Sequence, residues 1–220
     1  MMILETRSIA VNRGPSIRLS YPDLTLRPKE MCLLKGASGC GKTTLLSVIA
    51  GLLTADEGSV CFNGVDLGEL KPRALDKLRG EKMGFVFQSL HLLPSLTLRQ
   101  NIMLAADLSG SKAKAERAGE ILSQLGLSAR RDAFPKELSQ GEQQRAAIAR
   151  AVLNSPSLII ADEPTSALDT DNAMKVIELL QWQANQTGAA LIVATHDDRI
   201  TGAFQKIIPL DTVKQEAKAT

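Results

Sequence analysis

Gly36-Ala37-Ser38-Gly39-Cys40-Gly41-Lys42-Thr43, with Thr44 following, sets glycines, a lysine and a hydroxyl at the spacing G-x-x-x-x-G-K-[ST]. Each residue type has a chemical use in that order. Glycines let the backbone curl until several N–H groups point at one anion. Lys42 brings a flexible point charge for β- and γ-phosphates, and the Thr43 hydroxyl is a ligand for Mg²⁺. Glycines and a lysine also meet in ordinary turns, so context decides. Residues 31–35 read as a short buried strand, and residues 44–50 read as a helix stopped by Gly51. A strand, a glycine loop and a helix starting near Lys42 bring backbone donors and the positive end of a dipole to one point. That arrangement suits the phosphates of a nucleotide.

Two further stretches carry chemistry. Leu158-Ile159-Ile160-Ala161-Asp162-Glu163 is an apolar strand ending in paired acids. Strand alternation sends the two carboxylates in different directions. Asp162 then suits holding a metal, and Glu163 suits polarising a water that attacks a γ-phosphate. In Leu138-Ser139-Gln140-Gly141-Glu142, Ser139 and Glu142 form a capping box opening a helix through Ile148 and Val152. The same serine cap, glycine and helix end make a second phosphate-binding terminus. One triphosphate does not need two such termini unless they meet across a dimer. His196 follows the apolar run 191–195, at the end of another strand.

These groups need a scaffold, and its period is legible. Unalternated apolar runs at 31–35, 83–88, 158–162 and 190–195 read as parallel strands buried on both faces. The fold class is therefore α/β, with the phosphate loop at a strand's C-terminal end. Residues 3–30 read as β structure, where Ile17, Leu19 and Tyr21, and then Leu24 and Leu26, alternate with polar neighbours. Residues 58–62 run into Asn63-Gly64, the signal of a type I′ hairpin turn. These antiparallel pieces form a side sheet. Thr97 and Gln100 make a capping box for a helix through Ile102, Ala105 and Leu108. A second helix over 111–125 carries Ala115, Ala118, Ile121, Leu122 and Leu125 on one stripe, and Gly126 ends it. Lys71, Arg73, Lys77, Arg79 and Lys82, interleaved with Asp76 and Glu81, read as a solvated helix face. Residues 211–220 are polar and expected to fray.

The chain has 220 residues, 44% of them hydrophobic, enough for one sizeable domain. A net charge of +2 gives no electrostatic case for a nucleic-acid partner. Cys32, Cys40 and Cys61 lack metal-ligand spacing and favour a reducing compartment. The N-terminal residues lack the apolar core of a signal peptide, and no apolar run approaches the roughly 20 residues that span a bilayer. A cytoplasmic protein is expected, with any membrane role borrowed from a partner.

Taken in order, the phosphate loop, Gln88 at a strand end, Leu138–Glu142, Asp162-Glu163, Ser166-Ala167-Leu168-Asp169 and His196 resemble the ATP-binding cassette (ABC) ATPases over essentially the whole chain. The resemblance implies one ABC ATPase domain over 1–220, with a P-loop NTPase (RecA-like) core. In that picture 31–54, 66–88 and 150–210 form the core, 1–30 and 55–65 the antiparallel β side sheet, and 89–149 an α-helical insert. It implies a head-to-tail dimer of two copies sandwiching two ATP molecules. Gly36, Ala37, Ser38, Gly39, Cys40, Gly41, Lys42, Thr43 and Thr44 would hold the phosphates, with Mg²⁺ on Thr43, Gln88 and Asp162. Ser139 and Gly141 of the second copy would reach the γ-phosphate. Glu163 resembles the family's catalytic base, His196 its γ-phosphate sensor, and Gln88 the glutamine that links the helical lobe to an integral membrane permease. Asp169 would lie in a loop signalling across the dimer. The subunit would then sit on the inner face of the cell membrane through that permease.

A narrower likeness lies in residues 84–88, 92–97, Gln100-Asn101 and 195–200, which resemble the branch serving lipoprotein release, macrolide export and glycolipid export. Export or extraction of a lipid, lipoprotein or drug is the matching expectation. Regulation of a cell-envelope machine without transport is the alternative. A soluble repair or translation ABC protein would need a longer insert than 88–138, and a generic phosphate-loop kinase leaves 138–142 unexplained. Two departures stand out. The family's adenine-stacking aromatic falls near Ala10 or Val11, where there is no ring. Tyr21 reads as a core or sheet residue, and Arg13 offers a guanidinium plane instead, so weak discrimination of ATP from GTP is expected. Gln140 and Glu142 replace the commoner glycine and glutamine but leave Ser139 and Gly141 in place. Cys40 sits inside the phosphate loop, where alkylation is expected to block ATP binding.

Overall fold

Apolar runs without alternation need cover on both faces, and the fold supplies it with a layer on each side of a parallel sheet. The computed structural model describes residues 2–14, 17–109, 115–166 and 168–210. In chain order the elements are β1 (Leu4–Arg13), β2 (Ile17–Ser20), β3 (Leu24–Leu26), β4 (Met31–Lys35), α1 (Lys42–Ile49), β5 (Glu57–Phe62), β6 (Val65–Asp66), α2 (Pro72–Lys82) and β7 (Met83–Val86). There follow α3 (Leu98–Ser109), α4 (Ala115–Gln124), α5 (Gln140–Val152), β8 (Leu158–Asp162), α6 (Thr170–Thr187), β9 (Ala190–Thr195) and β10 (Lys206–Pro209).

The central sheet has the order β10-β4-β9-β8-β7, and every pairing in it is parallel. Its strands alternate between two cores. Leu33, Ile159, Leu191 and Val193 face a cluster built with α3, α4, α5 and α6. Cys32, Leu34, Ile160 and Ile192 face a cluster built with α1 and the antiparallel sheet. That second sheet joins β1, β2, β3, β5 and β6, all through antiparallel pairs. Its β5–β6 turn is made by Asn63 and Gly64 at φ of 51° and 82°, as a type I′ turn requires. Among the described residues no helix is long and apolar enough to cross a membrane.

The structure departs from expectation at identifiable places. β10 was not anticipated, because at a sheet edge its residues are only half covered and it ends on a proline, which an edge tolerates. β7 stops at Val86, so Phe87 and Gln88 belong to the following loop. Helix α3 buries Leu98, Ile102 and Ala106, four residues apart, and leaves Leu108 80% exposed. A step of four keeps side chains on one face where repeated steps of three drift off it. Ala115 likewise lies outside the buried stripe of α4, which holds Ala118, Ile121 and Leu122. The helix expected over 111–125 has its first four residues outside the described part, as do Ala167 and the 211–220 tail. Helix α2 has no fully buried residue and presents most of its charges to solvent, but Arg79 turns inward to donate to the Gly51 carbonyl at 2.7 Å, and Leu75 and Leu78 pack against the second core.

The helical layer is seated on the central sheet by a close approach. A Cβ built on Gly84 of β7 would lie 2.2 Å from the Ala151 carbonyl oxygen of α5. Backbone opposes it there, so the side chain has nowhere to turn. Gly84→Ala is expected to lower stability by about 1–3 kcal/mol through overpacking, read as an earlier urea midpoint at unchanged slope.

Candidate active site

The phosphate loop turns between β4 and α1. Gly41 caps α1 at φ 97°, a conformation side-chain-bearing residues avoid, and a Cβ there would meet the Tyr21 hydroxyl at 2.6 Å. Tyr21 is buried and donates its hydroxyl proton to the Gly41 carbonyl at 3.0 Å. Burial pushes its phenol up to about 12, so it stays a donor at any working pH. The expectation of a core tyrosine holds, but the residue also pins the loop. Only the sheet register that brings β2 alongside the loop reveals this.

Lys42 folds back over its own loop, donating to the Gly36 and Ala37 carbonyls at 2.7 and 3.0 Å. Its ammonium also lies 3.1 Å from Glu163 Oε1, both groups nearly buried. Glu163 stands one residue past β8 at φ 48°. It therefore does not extend the strand's alternation, as the sequence suggested. The left-handed turn aims its carboxylate toward β9 instead, and its N–H is tied to the Ala194 carbonyl at 2.8 Å. Such a conformation is costly for a non-glycine residue and marks functional sites. Thr195 donates to Glu163 Oε2 at 2.8 Å, and His196 Nδ1 lies 2.9 Å from Oε1. Burial works to raise the Glu163 carboxyl. The hydrogen bonds from His196, Thr195 and Lys42, with the Lys42 charge, outweigh it and hold the group below the usual carboxylate range.

Asp162 ends β8, and its Oδ2 accepts the Thr43 hydroxyl at 2.6 Å. Its Oδ1 is buried and accepts no hydrogen bond among the described residues. Burial pushes this carboxyl up, the Thr43 bond opposes that, and the Glu163 charge adds to it. A buried carboxylate oxygen without a partner, beside a hydroxyl, is a hard-oxygen donor set. It fits Mg²⁺, which binds through one or two protein groups and completes its shell with water and phosphate oxygens. Among the described residues no cluster of three or more acids, histidines or cysteines offers a fuller metal cage.

Lys42, Thr43 and Glu163 line one cleft of about 490 Å³, which extends from the phosphate loop to Arg13, Ile17 and Leu19, and Asp162 is joined to it through the Thr43 hydroxyl. Gln88 and His196 reach the same cleft. Ala10 and Val11 are buried in the core instead, and the wall of the cleft is formed by Arg13, which the sequence offered, with Ile17 and Leu19. Arg13 also hydrogen-bonds the Thr44 hydroxyl. Ser139 and Gly141 do not line the cleft. Ser139 caps α5 as expected, accepting from Glu142 N while the Glu142 carboxylate takes the Ser139 N–H at 2.8 Å. Arg130 pairs with that carboxylate at 3.0 Å.

Two residues tie Gln88's loop to the helical layer. Asn101 of α3, almost wholly buried, accepts the Leu93 N–H and donates to the Leu93, Leu96 and Thr97 carbonyls. Arg150 of α5 donates to the Leu90 and His91 carbonyls at 2.7 and 2.6 Å. An asparagine in the first turn of a helix, where its amide competes for nearby backbone groups, is the sequence signal that marks such a clamp.

Comparison with known proteins agrees with this geometry. The family model described as ABC transporter matches residues 19–166. A protein of Staphylococcus aureus (strain MRSA252) with the provisional name hemin import ATP-binding protein HrtA is 41% identical over 97% of this chain and 99% of its own. A protein of the same name from Staphylococcus haemolyticus is 40% identical over 85% of both. Among solved structures, the dimeric bacterial ABC transporter cassette MJ0796 is similar at a TM-score of 0.85 and 32% identity, over 99% of this chain and all of that one. The same cassette bound to ADP and Pi after hydrolysis is similar at a TM-score of 0.82 and 30% identity.

Access overrides position at Cys40. The residue is 4% exposed and packs in the core beneath the loop, which keeps a reagent from its thiol. In native protein Cys40 is expected to resist iodoacetamide while the half-exposed Cys61 reacts, with both modified in urea. Peptide mass spectrometry over a time course measures this, and rapid native labelling of Cys40 would contradict it.

Proposed function

This chain belongs to the ABC transporter family and is an ATP-hydrolysing subunit, and from that premise we propose that it dimerises on ATP and powers a separate membrane permease. One observation carries the reading: the capped end of α5 at Ser139 and Gly141 lies outside the cleft lined by Lys42, Thr43 and Glu163. Each copy thus has one complete phosphate loop and one unused phosphate-binding helix end. A head-to-tail pair uses both.

Within a copy, the phosphate-loop amides and the Lys42 ammonium receive the β- and γ-phosphates. Thr43 and Asp162 would hold Mg²⁺, which would supply charge neutralisation on the phosphates. Lys42 pairs with Glu163, and a γ-phosphate would be the stronger partner for it. Drawing Lys42 away would remove one of the three groups that hold the Glu163 carboxyl down, both its hydrogen bond and its charge, and burial would then raise its basicity. Glu163 takes the proton of the attacking water, Thr195 and His196 keep the carboxylate aimed, and His196, more than half exposed, reaches the γ-phosphate. Gln88 meets the same cleft from a loop clamped by Asn101 and Arg150, which suits a link between the metal site and a permease docked on the helical side. The base would rest on Ile17 and Arg13, which select poorly between purines.

Glu163→Gln is expected to bind ATP, to hydrolyse it about a hundredfold or more slowly, as loss of a general base predicts, and to elute as a dimer with ATP and Mg²⁺. Near-normal turnover, or a monomeric profile with ATP, speaks against the assignment.

The cargo touches no residue of this chain in the proposed arrangement, so its nature follows from relatives. The narrower sequence likeness pointed to export of a lipid, lipoprotein or drug, whereas the Staphylococcus relatives carry a name for hemin import. These cargoes share an amphiphilic character, and we assign the permease a cargo of that class. The subunit would lie at the inner face of the cell membrane, held there by the permease.

Ser139→Arg fills the α5 helix end with a bulky cation and is expected to abolish hydrolysis while ATP binding at Lys42 persists. Mixed with Lys42→Ala, it forms some dimers with one composite site built from intact halves. Partial activity from the mixture supports shared sites, and complete inactivity opposes them.

A further inference from the structure

The Glu163 carboxylate is also the start of a polar chain that leaves the cleft. Thr195, fully buried, donates to Glu163 Oε2 and accepts the Asp197 N–H at 3.0 Å. Asp197 in turn receives the Thr165 hydroxyl at 2.9 Å and a bidentate fork from Arg199, with Nε at 2.8 Å and Nη2 at 2.7 Å. The remaining arm of the guanidinium, Nη1, donates to the Leu168 carbonyl at 3.1 Å and lies 3.5 Å from the Thr170 hydroxyl. Leu168 immediately precedes Asp169, whose carboxylate caps α6 by accepting the Asn172 N–H at 2.9 Å. A single side chain therefore joins the segment after β9, which carries His196, to the segment after β8, which runs from Glu163 to Asp169.

We propose that Arg199 is a positioning residue for hydrolysis, holding the Leu168–Asp169 segment in register with the strand ends that carry Glu163 and His196. Arginine is suited to this and lysine is not. The planar fork satisfies both Asp197 oxygens and still has a donor to spare for Leu168, whereas one ammonium cannot span these acceptors at once. The connection to the carboxylate runs through Asp197 and the buried Thr195, so a shift of Arg199 is felt at Glu163 without any contact to nucleotide. Phosphate binding is untouched, because the loop at 36–44 shares no hydrogen bond with Arg199. The inference rests on Glu163 being the base, and Arg199 acts on the rate of the chemical step.

The test uses the full chain with Mg²⁺ and ATP, and measures steady-state turnover, ATP affinity by equilibrium dialysis, and melting temperature for R199A, R199K, E163Q and the double variant. R199A is expected to lose about tenfold in kcat, the scale of a small misplacement of a reacting group, with KM and ATP affinity within about twofold of the parent. R199K should recover only part of that loss. In the E163Q background R199A should cost nothing further, because the two act through one carboxylate. Unchanged kcat in R199A overturns the proposal. So does a loss that tracks weaker ATP binding and a lowered melting temperature together, since that is a folding defect, and so does a full tenfold loss added on top of E163Q. If E163Q alone turns over normally, the base assignment fails instead, a result told apart from failure of the Arg199 assignment by normal turnover of R199A.

Discussion

A lysine and a glutamate, both nearly buried and 3.1 Å apart, set the terms for the whole site. Neither charge is tolerable there alone, since desolvation penalises each unless it is paired and hydrogen-bonded. The pair demands that the end of β8, the end of β9 and the start of α1 converge within a few ångströms. Parallel strands packed side by side, each followed by a connection on the same edge, meet that demand directly. Lys42 is completed by its own loop carbonyls and Glu163 by Thr195 and His196, so both members of the pair have further partners. Asp162 differs. Its Oδ1 is buried without a hydrogen-bond partner among the described residues.

Around that pair, the site is held by clamps placed far apart in the chain. Tyr21 from the antiparallel sheet pins the phosphate loop at Gly41. Asn101 and Arg150 from two helices hold the loop that carries Gln88. Arg199 bridges the segments that leave β8 and β9. Each clamp binds backbone carbonyls or a buried carboxylate, so each fixes the path of a loop and not merely a side chain. The three layers that contribute them thereby report on one cleft.

Much of this was legible in one dimension because some constraints are local. A glycine at φ 97°, a serine cap answered by a glutamate three residues on, and an asparagine-glycine hairpin turn all concern neighbours in sequence. Burial on both faces likewise leaves its mark in unalternated apolar runs, and four of the five central strands were found that way. What escaped was weakly marked or non-local. β10 is half covered and short, the stripe of α3 is displaced from the one expected, and Leu108 points away from the core it was assigned to. Tyr21 looked like a plain sheet residue because its partner, Gly41, is 20 positions away.

The sequence by itself determined which atoms are available for chemistry: the loop donors, the lysine, the two acids and the histidine, each at a strand or helix end where its type has a use. Tertiary structure alone decided their relations. It turned Glu163 out of the strand's alternation and onto Thr195 and His196, left one oxygen of Asp162 without a partner, buried the Cys40 thiol that looked reactive, and kept Ser139 apart from the cleft. The physical reason is range. Capping, turn type and periodicity act over a few residues, whereas desolvation and charge pairing depend on what the fold brings within hydrogen-bonding distance from elsewhere in the chain.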